Sequence, residues 1–196
     1  MGDKTRAYRE VLLKLRFDLG TNFKMHFPRF DLGLAVLLAR EGDDPPPLIR
    51  LNPQMAGTFK LVIELLQIVP GVGVGAVVLN TATKWAAGFP GFQDFIRRAG
   101  GMEEVLELRR RAARDGLDSE LVPRFAQDLA EGLPPAQGQA VRGVLFLDTY
   151  EALWTARDSA TAQTRQLQEW VQDLVKFCLH PRVGVLPVIA ARDQLR

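Results

Sequence analysis

The chain has 196 residues, 47% of them apolar and 24% charged, with a formal net charge of +2. That length and balance fit one ordinary soluble globular domain, or one with an appendage. A net charge this small gives no electrostatic argument for nucleic acid or an anionic membrane, and one cysteine, Cys178, excludes an internal disulfide and fits a reducing, cytoplasmic setting.

Apolar positions at Tyr8, Val11, Leu12, Leu15 and Leu19 predict a helix over 4–19. A second helix is expected over 28–40, started by Pro28 or Asp31 and stopped by Gly42. DDPPPL, residues 43–48, predicts an extended polyproline loop. The apolar stretch 61–79 is long enough to be weighed as a membrane span. Glu64, Gln67 and the Pro70-Gly71 break predict two buried helices instead, so membrane association is not expected. Gly71, Gly73 and Gly75 lack the following Lys-Ser or Lys-Thr of a phosphate loop and read as close helix packing.

Further helices are expected over 89–101, 102–116 and 118–132, the last capped by Asp118 or Ser119. Arg109, Arg110, Arg111 and Arg114 follow Glu103, Glu104 and Glu107 by about one turn. That order suits i,i+4 pairing and the helix dipole and predicts a solvated face, with a phosphate or partner patch as the other reading. His26 and His180 make no metal-ligand spacing.

The texture then changes. VRGVLFL, residues 141–147, is a strand-length apolar run, which predicts a central parallel strand buried on both faces. Residues 161–179 are amphipathic, with Leu167, Trp170, Val171, Leu174, Val175 and Cys178 on one face, and 183–195 holds a second buried strand. Strand, helix, strand at this spacing predicts a right-handed βαβ unit. The fold expected is α/β and helix-rich: a helical region over 1–133, then a strand–helix–strand segment with a short parallel sheet over 141–196.

In open α/β sheets ligands bind beyond the carboxyl ends of the strands. Asp148 follows the first strand and Arg192 the second. One acid and one base at such a crevice suit a nucleoside triphosphate with Mg²⁺: the carboxylate for the hydrated metal, the guanidinium for a phosphate oxygen. Glu151, about one helical turn beyond Asp148, is placed to orient or deprotonate an attacking water. A structural reading stands beside this one, in which Asp148 or Thr149 caps a helix starting at Tyr150 and binds no ion.

VLFLDTYEALW, residues 144–154, resembles the Walker B segment of STAND-class P-loop NTPases, particularly bacterial members with tetratricopeptide repeats. VGVLPVIAARDQLR, residues 183–196, resembles their sensor strand, and RAYREVLLKLRFDLG with FPRFDLGLAVLLAR resembles the segment that follows the first strands in those bacterial proteins. The resemblance implies Asp148 as the Mg²⁺ aspartate, Glu151 as the catalytic acid and Arg192 as the γ-phosphate sensor, with ATP as the nucleotide. Ala191 stands where the family often has Gly or Thr, and the loop G-x-x-x-x-G-K-[ST] does not occur in this sequence. Since that loop binds most of the triphosphate charge, the resemblance implies a truncated or degenerate signalling ATPase module, weak or inactive alone. A phosphate-loop strand would lie between or beside the two strands here, and without it self-association or a protein partner is expected. The alternative is a non-enzymatic helical protein–protein interaction module.

Overall fold

The structure, a computed structural model, describes residues 2–68, 84, 87–112, 117–134, 141–147, 171–180 and 183–189. The described residues are mostly helical, with one short two-stranded parallel sheet. The chain divides into two compact units: residues 27–124, and residues 1–26 with 125–196.

The first of these units is built around α2 (Pro28–Glu41). Every residue from Phe30 to Leu38 on it is buried, including Asp31 and Gly33. A helix buried all round needs neighbours on all sides, and α2 packs against α4 (Pro53–Ile68), α5 (Pro90–Arg98) and α6 (Met102–Ala112). Those neighbours present single stripes to it: Phe59, Val62 and Leu65 from α4, Phe92 and Ile96 from α5, Val105 and Leu108 from α6.

Punctuation by proline, asparagine and glycine sets the helix ends. Proline opens α2, α4 and α5, the position where its missing N–H is no loss. The expected polyproline loop is shorter than 43–48, because Pro47 itself opens a helical turn, α3 (Pro47–Arg50), after Pro46 in polyproline geometry. α4 begins at Pro53, ahead of Gly57, since the Asn52 side-chain oxygen accepts the Met55 N–H at 3.1 Å. Gly42 ends α2 as expected, at φ 68°, its N–H on the Leu38 carbonyl. Gly100, at φ 113°, and Gly101 close α5: the Gly101 N–H reaches Ile96 O at 2.8 Å and the Gly100 N–H reaches Arg97 O at 3.3 Å. That pair of bonds is a Schellman end.

The other unit begins with α1 (Gly2–Phe23), longer than expected at both ends. Its sheet pairs β1 (Gly143–Leu147) with β2 (Val185–Ile189) in parallel, Gly143 opposite Val185 and Leu147 opposite Ile189. Residues 171–178 form α8, burying Val171, Leu174 and Cys178. α7 (Leu121–Gly132) runs through the boundary of the two units, and the expected start at 118–120 is a 3-10 turn.

One expectation fails in the sheet. β1 is not buried on both faces: Leu145 and Leu147 are buried, while Val144 is 50% and Phe146 70% exposed. Leu186, opposite Val144, is 42% exposed. A continuous apolar run therefore supplied the composition of a central strand without the cover. Nor does another strand lie between these two, since β1 and β2 hydrogen-bond directly. The Pro70 break, the three glycines and Arg114 lie outside the described residues, among which no helix is long and apolar enough to cross a membrane.

Two outcomes test this packing. Leu37→Ala empties a fully buried site on α2 and is expected to cost about 2–5 kcal/mol in urea unfolding. Cys178 is fully buried, and burial pushes its thiol up to about 11 from an ordinary 9.0. The folded chain keeps a proton that the unfolded chain releases, so stability is whole below pH 9 and falls as pH rises towards 11. The expected loss is about 2–3 kcal/mol across that window, and Cys178→Ala removes that part of the slope.

Candidate functional site

Parallel pairing brings the carboxyl ends of β1 and β2 to one edge, with Leu147 and Ile189 as Cα partners. Asp148 follows Leu147 in the chain, and Arg192 comes three residues after Ile189. Asp148, Glu151 and Arg192 themselves lie outside the described residues, as does Thr149, so the capping alternative lies there too. What the described residues establish is that the two strands leading to the acid and the base run side by side in the same direction.

At the opposite end of β1 stands Arg142, half-buried. Its backbone N–H bonds the Gly184 carbonyl at 2.6 Å, just ahead of β2. Its guanidinium donates to one carbonyl in the last turn of α7, Ala130 from Nη2 at 2.8 Å, and to two just past its end, Leu133 from Nη2 at 2.6 Å and Pro134 from Nε at 2.8 Å. The last carbonyls of a helix lack intrahelical donors and carry the negative end of its dipole. Arg142 answers both, and so ties the entry of β1 to α7 and to the entry of β2.

The basic cluster of α6 is used internally. Arg109 Nη1 donates to Leu66 O, near the end of α4, at 2.5 Å. Arg110 pairs with Glu107, and Arg111 with Glu107 and Glu120. Hydrogen bonds donated to Glu107 and then to Glu120 hold the Arg111 guanidinium above its ordinary value. The charges of the three described arginines are therefore met by α4, by neighbours on α6 and by the turn before α7, which is the solvated-face reading with one helix cap added.

A more buried network lies beside it. Arg124, on the first turn of α7, sends Nη2 to Glu104 at 2.5 Å and to Glu120 at 3.1 Å, with 10% of its side chain exposed. Its stem lies against Gly33 of α2, where an added Cβ would come within 3.2 Å of Arg124 Cδ and of Leu121 Cδ2. Its Nε is buried without a hydrogen-bond partner. Glycine at 33 is what lets a guanidinium stem pass over the central helix.

Neither capping arginine stands out in the sequence. Their acceptors are backbone carbonyls 8–12 residues away for Arg142 and 43 away for Arg109, and a carbonyl leaves no residue-type signature. Asn52 ahead of Pro53 was a legible cap.

Among the described residues no group of three or more His, Cys, Asp or Glu stands ready for a metal ion. Mg²⁺ asks for less: one or two carboxylates, water and phosphate oxygens. Asp148, the carboxylate expected to hold Mg²⁺, lies outside the described residues. No protein-family model matches the chain, and comparison with curated proteins and with solved structures gives no match either.

The two classes of ion pair are separable by unfolding. Arg124→Ala takes that cation from the part-buried Glu104 and leaves Glu120 with Arg111 alone, and is expected to cost about 2 kcal/mol. Arg110→Ala breaks an exposed pair and is expected to change stability by less than about 1 kcal/mol.

Proposed function

We propose that this chain is a degenerate ATP-binding module of the STAND type. In it Asp148 holds Mg²⁺, Arg192 meets the γ-phosphate and Glu151 orients water. The observation that supports the reading is the parallel register of β1 and β2, whose adjacent ends lead directly into Asp148 and, three residues on, Arg192. Bound Mg²⁺ would offset part of the triphosphate charge. The guanidinium of Arg192 suits a bidentate contact to a phosphate oxygen pair. Glu151 lacks a partner loop to fix the phosphates in line with its water, so hydrolysis by this chain alone is negligible.

A second reading, a non-enzymatic protein–protein interaction module, draws on a different observation. Val144, Phe146 and Leu186 form an exposed apolar sheet face, and such a face favours a protein partner or self-association over water. The one-cysteine composition keeps the cytoplasm as the proposed location for either reading.

Calorimetric titration of the full chain with ATP separates the two. With Mg²⁺ we expect weak binding, a Kd on the order of 0.1–1 mM, or about −5 kcal/mol, and about tenfold weaker binding for Asp148→Ala. No saturable heat at several millimolar ATP, or binding indifferent to Asp148→Ala and Arg192→Ala, would leave the interaction reading standing. Submicromolar binding would remove the word degenerate.

A further inference from the structure

We infer that Arg142 is a register pin: a positioning residue that decides which residues of β1 arrive at the edge shared with β2.

Among the described residues, the open face of the two-stranded sheet gives its alignment little support. Parallel sheets are ordinarily covered on both faces, and here Val144, Phe146 and Leu186 lie exposed on one. Those side chains are alike in chemistry, so on this open face a two-residue slide of β1, setting Val144 in the place of Phe146, meets little resistance. A slide by one is opposed, because it would carry Leu145 and Leu147 out of the buried face. A two-residue slide keeps the faces; it is opposed on the buried side, where Gly143 would replace Leu145, and at the strand entry. Pro187 adds no N–H to the ladder opposite Leu145.

Arg142 is what holds the entry. Its backbone N–H is committed to Gly184 O, and its side chain to Ala130 O, Leu133 O and Pro134 O. A slide of two residues moves the strand by roughly 6–7 Å, further than those bonds can stretch. The side-chain contacts are charge-assisted, the stronger kind of hydrogen bond, and three carbonyls in a fork suit the rigid guanidinium better than an ammonium. Pinned at its entry, β1 delivers Leu147 opposite Ile189 about 16 Å away. The consequence for Asp148 rests on the nucleotide reading; the pin itself does not.

Engineered disulfides in the full chain read the register directly. Val144→Cys with Leu186→Cys reports the observed alignment, whose Cα spacing near 5 Å suits a disulfide. Val144→Cys with Val188→Cys reports the two-residue slide; in the observed alignment its Cα spacing of roughly 8 Å is too long. The native Cys178 is buried and stays protonated at pH 8, so it does not compete. We expect the 144–186 bond to dominate with Arg142 in place. The ratio of the two cross-linked forms should fall about tenfold in Arg142→Gln, the loss of roughly one net charge-assisted hydrogen bond, with partial recovery in Arg142→Lys. If Arg142→Gln loses its helical circular dichroism, Arg142→Lys, which keeps charge and one donor group, carries the comparison. A ratio that stays put in the folded variants overturns the inference. Asp148→Ala should leave the ratio alone. A ratio that moves with Arg142, in a chain that binds no ATP, sinks the nucleotide reading and keeps the pin.

Discussion

The helical unit depends on the burial of α2 over its whole circumference from Phe30 to Leu38. A helix with no polar face contributes nothing alone in water and becomes stable only when several neighbours remove its surface from solvent together. That condition is why α4, α5 and α6 each offer α2 one apolar stripe while their outer faces carry Lys60, Arg97 or Arg110. It also explains the price at Gly33, the point on a close-packed helix where the Arg124 stem crosses.

Arginine is the recurring solution to the ends that such packing leaves. Arg109 meets a carbonyl near the end of α4, and Arg142 meets one in the last turn of α7 and two just past it. In each case a long flexible stem carries a fixed fork of donors to carbonyls that the helix itself cannot satisfy. The basic run RRR in α6 thus resembles an anion-binding patch in sequence and acts in the structure as internal wiring, one arginine as a cap and two as partners for Glu107 and Glu120.

The sheet is the opposite case: two short strands, one covered face and one open face. Its direct pairing carries the functional reading, because parallel strands end on the same edge. Its open face carries the competing one, because Val144, Phe146 and Leu186 have the chemistry of an interior and the exposure of a surface. The two readings use opposite features of the same element.

Periodicity and punctuation in the sequence were enough for most of the helices: α2 with its Gly42 stop, the Gly100-Gly101 end of α5, the α6 charges and the body of the helix expected over 118–132 follow from local rules that act within a few residues, whereas the turn α3 inside the expected loop did not. The parallel pairing of 143–147 with 185–189 was also legible, since the intervening length demands a crossover. Of the candidate site, residue types and spacing were legible in Asp148, Glu151 and Arg192. Tertiary structure alone decided the register, the bare face of β1, the pinning by Arg142 and the passage of Arg124 over Gly33. Each of those depends on which distant backbone or face comes to lie alongside, and neither a carbonyl oxygen nor an absent neighbour is encoded in the identity of the residue that meets it.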